Sequence, residues 1–179
     1  SGSEATHFAV MYVKNIKHSI ADPKLMPAQV IIDPILHYSQ TPYQKAVSGI
    51  DAFAQAVESL WNVNSTDESV VYAEQAIQTI WRNLEKAVLD NDANAHWALA
   101  LGANLAGRAI NITKTTAPHA LSYGFTKALG LPHGHAVALS IPFFIKYHAG
   151  IQEEECNDNR GADHVNQVID RIAYLLDVW

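Results

Sequence analysis

With Cys156 as its one cysteine, the sequence cannot form an internal disulfide framework, and a reducing, cytoplasmic setting is expected. Long apolar runs are missing as well. The longest, Ala136 to Ile145, contains Ser140 and Pro142 and is too short to span a bilayer. Positive charge is scarce: 12 Lys and Arg face 18 Asp and Glu, for a net charge of −6. That balance argues against a nucleic-acid footprint, which needs a basic stripe, and against docking on anionic lipid. No basic segment followed by an apolar run stands at the start, so no signal peptide is visible.

Apolar residues, by contrast, make up 49% of 179 positions, enough for one sizeable core in one domain or a little more. The opening Ser1-Gly2-Ser3-Glu4-Ala5-Thr6 leads into a strand-like segment with no starting Met. Val168 to Trp179 has helical spacing and no C-cap signal. Both ends are expected to be truncations of a longer chain.

Residues 1–40 and 41–179 differ in character. In the first part Phe8 to Val13 is a β-prone run, Lys14-Asn15 offers a turn, and Val30-Ile31-Ile32 is a second β-branched run closed by Asp33-Pro34. Pro23, Pro27, Pro34 and Pro42 keep helices out of this stretch. A hairpin plus a last strand is expected here. In the second part helical spacing takes over. Helices are expected over Ala46 to Leu60, from a Ser65/Glu68 capping box through Val88, and over Ala95 to Ile112. Gly102 and Gly107 would allow close helix approach. Another helix is expected from Pro118 to Gly130, and one from about His135 to Tyr147, bent at Pro142. The last begins after Asn157 to Gly161. The fold class is mainly α: a helical bundle carrying a short β remnant.

Nine histidines are present. His7, His18, His37 and His164 lie in polar or loop contexts without a partner at ligand spacing and read as surface residues. His119 lies on the first turn of a helix and His133 at the turn after it, so a reversal can bring both imidazoles to one point; capping or core roles are the alternative. Asp51 sits among small apolar residues, with Gln55 four positions on and on the same helix face. Buried, it needs a counter-charge; exposed, it is an ordinary first-turn acid. Thr113, Lys114, Thr115 and Thr116 place hydroxyls and an ammonium just before a helix N-terminus, an arrangement suited to an anion. Plain capping by Thr115 or Thr116 is the other explanation.

Gly49-Ile50-Asp51-Ala52, Pro118-His119-Ala120-Leu121-Ser122-Tyr123 and the run from Gly130 to Leu139 resemble the signature segments of the iron-dependent (group III) alcohol dehydrogenases. Gly2 to Thr6 resembles the end of that family's threonine/glycine motif on the cofactor side. The resemblance implies a metal site on Asp51, Gln55, His119 and His133. Gln55 departs from it, because most members carry His there; an amide oxygen binds borderline metals more weakly than imidazole. Fe²⁺ is implied, with Zn²⁺ as a second candidate. Asn111 to Ala120 resembles the narrower subgroup of phosphonoacetaldehyde reductases, some of which also carry Gln at the fourth ligand position.

The resemblance further implies reversible hydride transfer between NAD(P)H and an aldehyde or primary alcohol, with Tyr123 or His135 as candidates for proton delivery. For both, a core or surface role is the alternative. Residues 1–40 would be the remnant of a missing α/β nucleotide-binding domain, with Ser3 as the local cofactor contact, and 41–179 the helical metal-binding domain. The fragment alone is expected to be inactive, and the full-length protein a homo-oligomer. Two other readings stay open: a dehydroquinate synthase-like or glycerol dehydrogenase-like Zn²⁺ enzyme, and a non-catalytic helical interaction module. The second requires that Asp51, His119 and His133 do not converge.

Overall fold

The computed structural model describes residues 2–14 and 16–178; Asn15, expected in the first turn, and the terminal Trp179 lie outside the described residues. Strands β1 (Phe8–Val13) and β2 (Ile16–Ala21) pair antiparallel, with Phe8 opposite Ala21. Six α-helices follow among the described residues: α1 (Pro42–Trp61), α2 (Asp67–Glu85), α3 (Ala93–Thr113), α4 (Ala117–Leu129), α5 (His133–His148) and α6 (Ala162–Leu175). The expected mainly α bundle with a short hairpin is therefore the architecture observed. No helix among the described residues is long and apolar enough to cross a membrane.

Helix α1 opens on a capping box between Thr41 and Gln44 with Pro42 in its first turn, where a missing N–H costs nothing. From Asp51 to Trp61 every residue is buried. A helix enclosed on all sides is a core helix, and Ala52, Ala54 and Ala56 let its neighbours come close. Helices α2, α3 and α5 pack around it, and the main apolar cluster includes Val57 and Leu60 of α1, Ile77 and Ile80 of α2, and Val137 and Ile141 of α5. Gly102 fits α3 against α2, since a Cβ there would lie 2.7 Å from Ile80 Cγ1.

The segment before the hairpin is fixed on α3. Gly2 lies against the carbonyl of Ala103, Asn104 donates to Glu4, and the His7 amide donates to Asn111 Oδ1 at 2.9 Å. Gly107 is closed in by the Gly2 carbonyl, where a Cβ would lie at 2.0 Å. This docking brings the hairpin to the cavity described below.

Several local expectations need correction. The expected hairpin is present, but Val30 to Ile32 forms no further strand. The run has no regular secondary structure, its Ile31 is 84% exposed, and it pairs with neither strand of the hairpin. The cap of α2 is Thr66 with Ser69, one residue later than the Ser65/Glu68 pair. Regular α2 ends at Glu85, and a π-type turn over Lys86–Asp90 delivers the chain to Asn91 at φ 52. His133 begins α5 rather than ending the preceding turn, and Pro142 lies within that helix.

Candidate metal centre

Asp51, Gln55 and Glu58 follow one another at four- and three-residue spacing along one face of α1. All three are buried, Glu58 completely. Two further elements bring imidazoles to this face. Pro118 starts α4 and puts His119 on its first turn. Gly130, in the left-handed conformation at φ 68, closes α4, and the chain returns through Pro132 to open α5 on His133. Gly134 allows α5 to press against α1, for a Cβ there would lie 2.0 Å from the Val47 carbonyl oxygen and 3.0 Å from Asp51 Cβ.

The result is a convergence of donors. Nε2 of His119 and Nε2 of His133 each lie 3.4 Å from Asp51 Oδ1, and one ligand atom from each of the three residues falls within 4.8 Å of the others. Gln55 Nε2 donates to Asp51 Oδ2 at 3.0 Å, which ties the amide to the same cluster. Asp51 Oδ1, Gln55 Oε1 and His119 Nε2 are buried and have no hydrogen-bond partner. Orphaned buried polar atoms are costly, and a carboxylate oxygen and an imidazole nitrogen so placed within the Asp51, His119 and His133 cluster fit a cation. The donor set of carboxylate, amide oxygen and two imidazoles suits a divalent Fe or Zn ion.

Neighbouring groups fix the ring tautomers. The Ser122 hydroxyl donates to the His119 carbonyl at 2.7 Å, so its lone pair is left to accept from His133 Nδ1–H at 3.1 Å. His119 Nδ1 is paired with Glu58 Oε1. Both rings thereby present Nε2 towards Asp51. Burial pulls the His119 imidazole down, but the carboxylates of Asp51 and Glu58 beside it outweigh that and raise it to about 9. A ligating His119 must give up that proton, as metal binding to histidine requires.

A cavity of about 570 Å³ opens on this cluster. It is lined by Asp51, Gln55, His119, Tyr123 and His133, by Lys114 and Thr115, and by Ser3, Thr6 and the hairpin residues Phe8, Val10 and Ile20. Tyr123 stacks on the His133 ring at 5.4 Å.

Three expected participants are elsewhere. His135, two residues past His133 and so on the other side of α5, meets the Tyr43 hydroxyl through Nδ1 at 2.8 Å and does not line the cavity. Thr113 is fully buried, and its hydroxyl is engaged with Ser59 and with the carbonyls of Ala109 and Lys114. Thr116 donates through its hydroxyl to Glu58 at 2.7 Å and accepts from Trp61 Nε1 at 3.0 Å. Of the four residues expected at the anion position, Lys114 and Thr115 face the cavity. Sequence reasoning passed over Glu58 and Ser122. Glu58 had a visible signal: it lies seven residues after Asp51, two helical turns along the same face.

The family profile described as "Fe-containing alcohol dehydrogenase family, C-terminal" matches residues 45–175, and the chain belongs to the Fe-containing alcohol dehydrogenase family. It is 33% identical to the phosphonoacetaldehyde reductase of Streptomyces viridochromogenes over 97% of this chain and 45% of that protein. It is 34% identical to long-chain-alcohol dehydrogenase 1 of Geobacillus thermodenitrificans over 99% of this chain and 44% of that protein. The crystal structure of sulfoacetaldehyde reductase from Bifidobacterium kashiwanohense in complex with NAD⁺ superposes with a TM-score of 0.81 at 26% identity, covering 100% of this chain and 50% of that one. The chain thus spans about half the length of the relatives it matches. The interaction-module reading, which required the three ligand residues to stay apart, does not fit their convergence.

Proposed function

We propose that this chain provides the metal-binding half of a metal-dependent, NAD(P)H-linked aldehyde reductase and alcohol dehydrogenase, acting on a short aldehyde with an anionic tail. Phosphonoacetaldehyde, reduced to 2-hydroxyethylphosphonate, is the leading candidate. The observation that carries the reading is the convergence of ligand atoms from Asp51, His119 and His133, with Asp51 Oδ1 and His119 Nε2 buried and without hydrogen-bond partners. In the proposal Asp51, Gln55, His119 and His133 hold Fe²⁺, with Zn²⁺ as the alternative ion. When bound, the metal supplies Lewis acidity at the carbonyl oxygen and the nicotinamide supplies the hydride.

The remaining tasks fall to the chain's own groups. Asp51 brings negative charge to the cluster, and His119 and His133 bind as neutral imidazoles. Lys114 and Thr115 stand on the cavity wall, where an ammonium and a hydroxyl suit a phosphonate or sulfonate. Two of the relatives above are named for aldehydes of that kind, which supports the choice of substrate class. Tyr123 lines the cavity beside His133, where its phenol can pass a proton to the nascent alkoxide and recover it from solvent.

Residues 1–40 are assigned in this reading to a nucleotide-binding domain and residues 41–179 to the metal-binding domain. Ser3 on the cavity wall is the cofactor contact within this chain. The exposure of Ile31, Ile35 and Leu36, each above 70%, supports a covering partner for the first part, and the isolated chain is inactive on this account. A cytoplasmic homo-oligomer completes the proposal.

The test is direct. The full-length protein, stripped with chelator and reloaded with Fe²⁺ or Zn²⁺, is assayed for NADH and NADPH oxidation with phosphonoacetaldehyde and with propanal. Metal-dependent turnover that favours the phosphonate is expected. Equal turnover of propanal would reject the anionic substrate class, and activity untouched by chelation would reject the metal centre.

A further inference from the structure

Glu58 is the least exposed carboxylate near the cluster, at 0%, and it has no place among the four proposed ligands. Both of its oxygens are taken. Oε1 pairs with His119 Nδ1; Oε2 accepts the Thr116 amide N–H and, at 2.7 Å, the Thr116 hydroxyl. Thr116 is the N-cap residue of α4 but makes no side-chain cap of its own. Its hydroxyl is instead held between Glu58 and Trp61 Nε1. A carboxylate on α1 therefore takes the N-cap N–H of α4, as the N3 carboxylate of a capping box does from within the same helix, and holds the histidine three residues further on.

We infer that Glu58 is a positioning residue: it fixes His119 as the Nδ1–H tautomer and ties its ring to the first turn of α4, leaving Nε2 free to ligate. The inference rests on the metal-centre reading above. The chemistry is restrictive, because three donors converge on this side chain and only an ionised carboxylate is an acceptor at every position. A glutamine of the same shape offers one oxygen and one amino group. Turned towards His119, the amino group is satisfied only if Nδ1 becomes the acceptor, and the ring proton then sits on Nε2, the ligating atom. Turned towards Thr116, it opposes the backbone N–H and loosens the start of α4. Either way His119 is less fit to bind. A carboxylate behind a ligating imidazole also raises its basicity and locks its orientation.

The experiment uses the full-length protein, stripped of metal and titrated with Zn²⁺, as wild type, Glu58→Gln and Asp51→Asn. Long-range ¹H–¹⁵N spectra of the Zn²⁺-loaded forms report the His119 tautomer. Expected are one tight site in wild type, loss of it in Asp51→Asn, and binding weakened about 10- to 100-fold in Glu58→Gln with unchanged far-ultraviolet circular dichroism. Wild-type His119 should show a protected Nδ1 proton, and Glu58→Gln should lose that proton or share it with Nε2. A merely structural cap would alter melting temperature and leave the tautomer alone. Wild-type affinity together with a wild-type tautomer in Glu58→Gln overturns this inference and leaves the metal centre standing. No Zn²⁺ binding by the wild type overturns both. If Glu58→Gln fails to fold, the wild-type spectrum decides: a protected Nδ1 proton supports the assignment, and an Nε2–H ring or a freely exchanging Nδ1 proton overturns it.

Discussion

Gly134 meets the backbone of Val47 so closely that a Cβ on it would lie 2.0 Å from the Val47 carbonyl oxygen. The contact sits one residue after His133 and one helical turn before Asp51, so the α1–α5 separation and the spacing of two proposed ligands are set together. Gly134→Ala is expected to push the helices apart. Overpacking of this kind costs about 1–3 kcal/mol, and His133 should withdraw from Asp51. Denaturant unfolding and Zn²⁺ titration together check this: reduced stability with metal affinity lowered about tenfold or more is the expected pair. Stability reduced with affinity intact would show that His133 does not depend on this contact.

Gln55→His should strengthen the site. The position is buried on the face of α1 that carries Asp51, and its amide oxygen has no partner. Imidazole is the better donor for borderline metals, so Zn²⁺ is expected to bind about tenfold more tightly, roughly 1.4 kcal/mol. Competition against a chromophoric chelator measures it. Weaker or equal binding would mean that residue 55 does not contribute a ligand.

Much of this was legible in the sequence for a physical reason. Two helix boundaries were marked by local chemistry: Pro118 in a first turn, and Gly130 in the left-handed conformation closing α4; Pro42, read as keeping helices out, instead opens α1. The Asp51 and Gln55 pair followed from helical periodicity alone. What periodicity could not give was long-range pairing. Val30 to Ile32 has the composition of a strand, but composition does not say whether the chain brings it alongside a partner, and it pairs with neither strand of the hairpin. Glu58 was overlooked because an acid inside a helix usually faces water, and only the arrival of α4 58 and 61 residues later shows that it does not. His135 shared a motif with His133, but two residues is over half a turn of helix, and the motif conceals that opposition.

The His119 proton makes metal-free stability depend on pH. The group is raised from 6.5 to about 9 in the folded chain. A raised histidine contributes stability that is fully present below 6.5 and is lost as pH climbs through about 9. The shift corresponds to on the order of 3 kcal/mol. Urea unfolding in chelator at pH 6, 7.5 and 9.5 should therefore show falling stability in wild type and a flatter profile in His119→Gln. Saturating Zn²⁺ should reverse the trend, since a ligating imidazole must be deprotonated. Identical pH profiles for the two proteins would dismiss the coupling of His119 to its carboxylates.

Lys114 combines an unfavourable backbone with a favourable position. Its φ of 66 and ψ of −178 lie in a region that normally belongs to glycine, at a cost of about 1–3 kcal/mol. Its carbonyl is nonetheless held by Asn62 and by the Thr113 hydroxyl, and the residue stands on the cavity wall beside Thr115. If the ammonium receives the substrate's anionic tail, stability and function should part company here. Lys114→Gly is expected to raise the unfolding free energy by about 1 kcal/mol, while increasing KM for phosphonoacetaldehyde about tenfold or more in the full-length enzyme. KM for propanal, which has no charge to lose, should hold steady. Lys114→Ala keeps the strain and removes the charge, so it should reproduce the KM effect without the gain in stability. Equal changes in KM for both aldehydes would assign Lys114 a role in shaping the loop and remove it from substrate recognition.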